Sequence, residues 1–526
     1  MAIGRSAYHE LPSYPFRPPP ELAGEGGRRP VVVVGAGPVG LALACGLASY
    51  GVPTVVIEPR GAASFGSRAT CISRRSLELL DRFGAADGLL ARGLAWTGGR
   101  SFWRDHPVLH FTMPGSPGEQ HPPMVNLQQC FAEQAMLDSL ATRPGIDLRW
   151  HSRVTAASLH PDHVRLTIDT PAGEYTLEAD HVVATDGARS LLRQVAGLKL
   201  EGTSYEGRYL IADIKLHSAA PTERRAWFDP PSNPGSTVLM HRQPGDIWRI
   251  DYQLRDDEDG EAEQREARVR ARIDAHLAMI GEPLDYELIL ISLYKAHCLT
   301  LPRYRVGRLL FAGDAAHLVP IFGVRGLNSG IDDAGNLAWK LAAVVQEWGG
   351  DGLLDSYSEE RVYAAHENIR QARKSTLFMT PPSRGHTLMR DAALSLAVRH
   401  EFARPLVNPR QTTAIAFPDS PLQTPDTEPW AAGPPPGATL PDQRLDDPAR
   451  PFLLGRLGLR PTLITLGDPP ATELDMVALS PGEAAPLGLA APGGGYLVRP
   501  DGHVAARWHR YQPGALDAAT RRMLGR

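Results

Sequence analysis

Three short stretches hold the residue types best suited to chemistry. The first reads Gly35-Ala36-Gly37-Pro38-Val39-Gly40. It follows an apolar run, residues 31–34, and opens a helical one, residues 39–50. In a strand–turn–helix unit, Gly35 permits the tight turn, Gly37 lets a pyrophosphate approach the backbone, and Gly40 lets the helix pack against the strand. The helix N-terminus then aims its amides at the phosphates. A second β-rich run ends on Glu58, 18 residues after Gly40, where a carboxylate can accept hydrogen bonds from an adenosine ribose. The spacing predicts a dinucleotide site and leaves open whether the ligand is NAD or FAD.

The second stretch, Gly313-Asp314, closes a buried-strand pattern nearly 280 residues downstream. An aspartate at a strand end can hold a ribityl or ribose hydroxyl. The loop 320–328 then leads into a long helix, whose first amides would offer positive potential to an anionic flavin edge. Ile331, Ala334, Leu337, Ala338, Leu341 and Val345 recur at helical spacing, which reads as ordinary core. The third stretch, Asp186-Gly187, follows the strand-like residues 181–183. Alone it is a common turn, but between the other two motifs it gains weight.

These motifs need elements to position them. Residues 1–29 read as an extended arm. Residues 30–204 alternate β-rich and helical runs, as in α/β folds. Residues 205–300 change to antiparallel strands, among them 209–216, 238–242 and 247–254, with a charged helix over 263–279. Residues 301–412 return to the first domain and are mostly helical. A proline-rich linker, 413–436, precedes a separate α/β segment, 437–526. The fold class is α/β, a Rossmann-like dinucleotide domain with an inserted antiparallel-sheet substrate domain.

Composition excludes several classes. A net charge of −4 argues against a mainly electrostatic nucleic-acid binder. Cys45, Cys71, Cys130 and Cys298 form no CxxC pair, so neither a disulfide scaffold nor a cysteine-rich zinc site is expected, and no metal ligand set stands out. The apolar tract 31–57 contains five glycines and two prolines and reads as strand, turn, helix and strand, not as a membrane span. The N-terminus lacks the apolar core of a secretory signal, so a cytoplasmic protein is expected.

In this order, the three motifs resemble those of the single-component FAD-dependent aromatic hydroxylases, the p-hydroxybenzoate and phenol hydroxylase superfamily. The likeness extends through residues 313–341 and through Ser67-Arg68-Ala69-Thr70 with residues 75–80. It is nearest to the branch of 3-(3-hydroxyphenyl)propionate hydroxylases and polyketide hydroxylases. It covers about 30–410, and Leu497-Val498-Arg499-Pro500-Asp501-Gly502-His503-Val504 resembles that branch's thioredoxin-like C-terminal domain, here without a cysteine.

The resemblance implies non-covalent FAD, NADPH or NADH as co-substrate, and a monooxygenase that hydroxylates a phenolic aromatic compound with O2 through a flavin C4a-hydroperoxide. It implies that Glu58 binds the adenosine ribose and that Arg68 meets phosphates of FAD or of NADPH. Gln129 would touch FAD, and Asp186 would support both nucleotides. Gly313 and Asp314 would hold the ribityl chain, and Gly326, Leu327 and Asn328 would present amides to the flavin ring. Two positions depart from the family. Many members read GGQG where this chain has Gly323-Val324-Arg325-Gly326, and Thr70 stands where some phenol hydroxylases carry a carboxylate. Arg325 could bind an acidic substrate, stabilise reduced flavin or point to solvent.

Substrate contacts are expected from the inserted sheet. Alternation puts Trp248, Ile250, Tyr252 and Leu254 on one face and Arg249 on the other. Tyr252 and His241 are candidate phenol partners, and His317 is either near the flavin or a structural hydrogen-bonding residue. Expected partners are the aromatic substrate, O2 and NAD(P)H, with a homodimer as a family expectation, and neither nucleic acid nor membrane. The alternatives are a flavin oxidoreductase without oxygen transfer and a non-catalytic FAD-binding protein.

Overall fold

The computed structural model describes residue 8 and residues 10–66, 69–115, 118–320, 322–407, 411–467 and 472–526. Its centre is a parallel sheet. Arg29–Val34 lies between Thr54–Ile57 and Gly173–Ala184, with Ile146–Arg149 outside the former and Leu309–Phe311 outside the latter. Val31, Val32 and Val33 are wholly buried because both sheet faces are covered, which is why the strand reads as an unbroken β-branched run. The helices Pro38–Ser49 and Arg325–Val345 pack so closely that a Cβ on Gly46 would come within 2.7 Å of the Ala338 methyl.

The inserted sheet has eight strands. It is broader than residues 205–300. Arg224–Phe228 pairs in parallel with Gly98–Trp103, which forms a hairpin with His106–Thr112, and His317–Leu318 pairs with Glu287–Thr300. Residues 98–112 thus leave the sequence of the dinucleotide domain to complete the substrate sheet. One face of the sheet is apolar. Trp248, Ile250, Tyr252 and Leu254 join Leu210, Ile214 and Met240 beneath Val269, Ile273 and Leu277 of the helix Glu266–Ile280. The opposite face turns toward the dinucleotide domain.

The C-terminal four-stranded sheet runs Asp475–Leu479, Thr462–Leu466, Gly495–Val498, Val504–Trp508. The first pair is parallel and the others antiparallel. Residues 413–436 pack as a strap, with Phe417 and Leu422 buried. A buried ion network fastens this domain to the first. Arg499 donates to Glu360 at 2.6 Å and to Asp501 at 2.6 Å, and Lys340 donates to Glu360 at 2.7 Å. Burial opposes ionisation there, yet Arg499 and Lys340 hold the Glu360 carboxyl well below its usual range.

Candidate active site

The dinucleotide motif is shaped by steric demand. Gly35 has φ +111°, and a Cβ there would lie 2.5 Å from the Thr185 carbonyl oxygen. A Cβ on Gly40 would lie 1.9 Å from the Gly35 carbonyl oxygen. Gly37 is different, because a Cβ there would meet nothing within 4 Å. It would project into the space in front of the helix N-terminus, where a phosphate would sit. Glu58 is buried at the end of its strand, accepts the Ala36 N–H at 2.8 Å and pairs with Arg60 Nε at 2.7 Å. The carboxylate therefore fixes the glycine loop while it still lines the cavity.

Thr185 donates its hydroxyl to the carbonyls of Val34 and Gly35, tying the Asp-Gly strand end to the glycine loop. Asp186 accepts the Leu192 N–H through Oδ2, while its buried Oδ1 has no hydrogen-bond partner among the described residues, and burial raises its pKa. Gln129 donates to Glu133 at 2.9 Å, and Glu133 also accepts Ser64 N–H at 2.6 Å. Arg68 lies outside the described residues.

At the far end of the cavity, Asp314 is exposed in a tight turn that ends the strand Leu309–Phe311. Gly313 has φ +61° and donates its N–H to Asp333 at 2.9 Å. Asp333 also accepts His317 Nε2 at 2.7 Å and Arg361 Nε at 2.6 Å, so His317 is a structural histidine. Burial works against ionisation of Asp333, but His317 and Arg361 hold its pKa down. Val324 precedes the long helix at φ 53°, an uncommon conformation for a β-branched residue.

Gly326 and Leu327 line the cavity at the helix start. The Asn328 side chain clamps that start, accepting Ser73 N–H at 2.8 Å and donating to the Val324 carbonyl at 2.6 Å. Arg325 does not point to solvent. It is 3% exposed, and its guanidinium donates to Asn368 Oδ1 at 3.1 Å and the Gln411 carbonyl at 3.2 Å. Burial brings its pKa down to about 10.

Gly35, Gly37, Glu58, Gln129, Asp186, Asp314, Arg325, Gly326 and Leu327 all line one cavity of about 990 Å³. That is at the top of the ~300–1,000 Å³ range of small-molecule sites, large enough for a dinucleotide with a second ligand. The open space at Gly37 and the buried Asp186 Oδ1, without a hydrogen-bond partner among the described residues, fit FAD.

The other wall is the polar face of the inserted sheet. His241, Arg249, Asp251, Ile211 and Arg224 face the cavity. Tyr252 does not. It sits in the apolar layer on the opposite face, its hydroxyl donating to the Arg272 carbonyl at 3.2 Å, because alternation puts it with Trp248 and not with Arg249. His241 is buried with Nε2 3.3 Å from Thr70 Oγ1, and burial, with Arg224 and Arg249, pushes its pKa well down. Arg249 forms a bidentate pair with Asp213, both bonds at 2.7 Å. A second cavity of about 270 Å³, lined by Phe111, Phe228, Leu239, Phe322 and Phe378, shares Arg224 with the first.

Sequence reasoning missed Arg224, Asp251, Glu133 and Asp333. Arg249 and Asp251 did carry a signal, since charges alternating within an apolar strand mark a buried polar face.

The FAD binding domain family matches residues 28–372. A 3-(3-hydroxy-phenyl)propionate/3-hydroxycinnamic acid hydroxylase of Burkholderia vietnamiensis (strain G4 / LMG 22486) is 32% identical over 380 residues, 70% of this chain and 67% of that protein. A hydroxylase for the same compounds from Mycolicibacterium smegmatis (strain ATCC 700084 / mc(2)155) is 30% identical over 361 residues, 69% of this chain and 63% of that protein. The chain thus spans about two thirds of these relatives or slightly less. The flavin-dependent monooxygenase PieE, solved in complex with FAD and substrate, shares the fold with a TM-score of 0.80 at 23% identity, over 95% of this chain and 100% of that one. The chain belongs to the FAD binding domain family and, within it, to the FAD-dependent aromatic hydroxylases.

Proposed function

We propose that this protein uses NAD(P)H and O2 to add one oxygen atom to the ring of a phenolic substrate. Bound FAD supplies the redox chemistry, accepting a hydride and activating O2. The chain supplies binding and orientation. Gly35, Gly37 and Gly40 admit the pyrophosphate, Glu58 takes the ribose, and Asp186 and Asp314 hold the remaining polyol groups. Gly326 and Leu327 offer amides to the ring, and Arg325 and Asn328 keep that helix start in place. His241 presents Nδ1 to the substrate oxygen.

The observation that carries this reading is the single cavity joining the dinucleotide residues to the polar sheet face. The apolar annex of about 270 Å³ supports a substrate larger than one ring, since ~150 Å³ is enough for benzene. The relatives' names support a phenol that carries a side chain. A cytoplasmic location is part of the proposal, supported by four buried cysteines, none of them in a disulfide among the described residues, and the need for NAD(P)H. No helix among the described residues is long and apolar enough to cross a membrane. A homodimer is also proposed, supported by exposed Leu388, Met389, Phe402 and Leu406, and sedimentation tests it.

The functional test is aerobic turnover of FAD-loaded protein with NAD(P)H and a panel of one-ring and multi-ring phenols, read by product mass. A substrate-dependent gain of one oxygen is expected. NAD(P)H oxidation that yields only peroxide across the panel would favour a flavin oxidoreductase without oxygen transfer. Failure to hold flavin would favour a non-catalytic role.

A further inference from the structure

Three buried side chains on the cavity side of the inserted sheet each bury a polar atom that has no hydrogen-bond partner among the described residues. Asp251 is 5% exposed, makes no side-chain hydrogen bond or ion pair among the described residues, and buries Oδ1 without a donor. Arg224 is 8% exposed, likewise makes none among them, and buries Nη1 without an acceptor. His241 buries Nδ1 without a partner among the described residues. The strand register gathers them, with His241 opposite Arg249, two residues before Asp251, and Arg224 on the next strand out. An unpaired buried charge costs several kcal/mol. A carboxylate and a guanidinium facing one cavity without pairing to each other point to a ligand that completes both.

We infer that Asp251 takes the hydroxyl proton of a phenol lying between it and Arg224, and that Arg224 pairs with the phenolate oxygen. The inference rests on the hydroxylase reading above. The phenol O–H bond breaks, its proton forms an O–H bond with the Asp251 carboxylate, and the electron pair stays on the phenolate oxygen. Charge is conserved, since the carboxylate becomes neutral as the phenol becomes an anion, and no oxidant or reductant is consumed. The ring becomes richer in electrons, as attack by an electrophilic oxygen requires.

The surroundings suit this role. Asp251 is faced by Arg249 on its own strand, His241 on the neighbouring strand and Arg224 on the one beyond it, Asp213 and Tyr209 on the other side, and Cys71 from the dinucleotide domain. Burial pushes the Asp251 carboxyl up to about 6, against the pull of Arg249 and Arg224. A base poised there is ionised at neutral pH and accepts a proton more readily than an ordinary carboxylate. His241, held neutral, adds a hydrogen bond and no charge.

The test uses 4-nitrophenol and alizarin, phenols with one and three rings whose anions absorb at longer wavelength than their neutral forms. Each is added to FAD-loaded protein at a pH where the free probe is mostly neutral. The wild type is expected to turn on the phenolate band of at least one probe. Asp251→Asn at equal FAD content should lose that band, and Asp251→Glu should regain part of it. Should Asp251→Asn not load FAD, Arg224→Gln is the second variant, with the band moved to higher pH. With a turned-over phenol, Asp251→Asn should lower kcat ~100-fold and remove an acid limb centred near pH 6. An undiminished phenolate band in Asp251→Asn, probes bound only in neutral form, or no probe binding by the wild type would each overturn the inference. An Asp251-dependent band without any hydroxylated product would instead defeat the hydroxylase reading and leave the proton acceptor standing.

Discussion

The two ends of the cavity are built on opposite principles. At the dinucleotide end most charged groups are saturated. Glu58 holds Ala36 and Arg60, Glu133 holds Ser64 and Gln129, and Asp333 holds Gly313, His317 and Arg361. At the sheet end Arg224 Nη1 and Asp251 Oδ1 are buried without partners among the described residues. Saturation fixes a backbone cradle before its ligand arrives, whereas open valences make a site that only its substrate completes. Substitutions at the first end should therefore cost stability or cofactor, and those at the second should cost turnover.

The largest effect is expected at the glycine loop. Gly40→Ala places a Cβ against the Gly35 carbonyl and the Thr185 hydroxyl, in backbone that has little room to shift. The protein should purify without flavin, read as the loss of visible absorbance per chain. Asp333→Ala comes next, because it strands a buried Arg361 and frees the Gly313 turn. A loss of ~3–5 kcal/mol is expected by urea unfolding.

The sheet end should respond with the opposite sign. The Asp251 carboxyl rises from 3.8 to about 6 on folding, worth ~3 kcal/mol by linkage. Its folded pKa lies above the unfolded one, so its ionisation destabilises the fold as pH rises through that interval. Asp251→Asn should be more stable than wild type above pH ~6, with the advantage shrinking to nothing below pH ~4. Equal stabilities at pH 8 would show that the carboxylate is not strained. The smallest effect belongs to Tyr252→Phe, which loses one hydrogen bond to Arg272 and should cost ~1 kcal/mol with kcat unchanged. A large fall in kcat would return Tyr252 to the site.

The sequence made the saturated end legible and the open end much less so. Gly35, Gly37 and Gly40 leave a local signature because strand, turn and helix are contiguous there. The strand expected over 247–254 is the observed Ile247–Leu254, since alternation is also local. Which face of that strand meets the cavity is not local. It depends on the helix Glu266–Ile280 covering the aromatic side and leaving Arg249 and Asp251 to the other. The pairing of Gly98–Trp103 with Arg224–Phe228 spans more than a hundred residues and leaves no trace in spacing. The strap 413–436 read as a linker from its prolines, because the burial of Phe417 and Leu422 depends on partners far along the chain.

The central claim is that the saturated end holds FAD so that oxygen from O2 reaches a phenol at the open end. The most direct test is turnover of the FAD-loaded protein with NAD(P)H and a phenol under isotopically heavy O2, followed by product mass. The account predicts one heavy oxygen atom per hydroxylated product. Hydroxylation with unlabelled oxygen, or NAD(P)H oxidation with every phenol recovered unchanged, would contradict it.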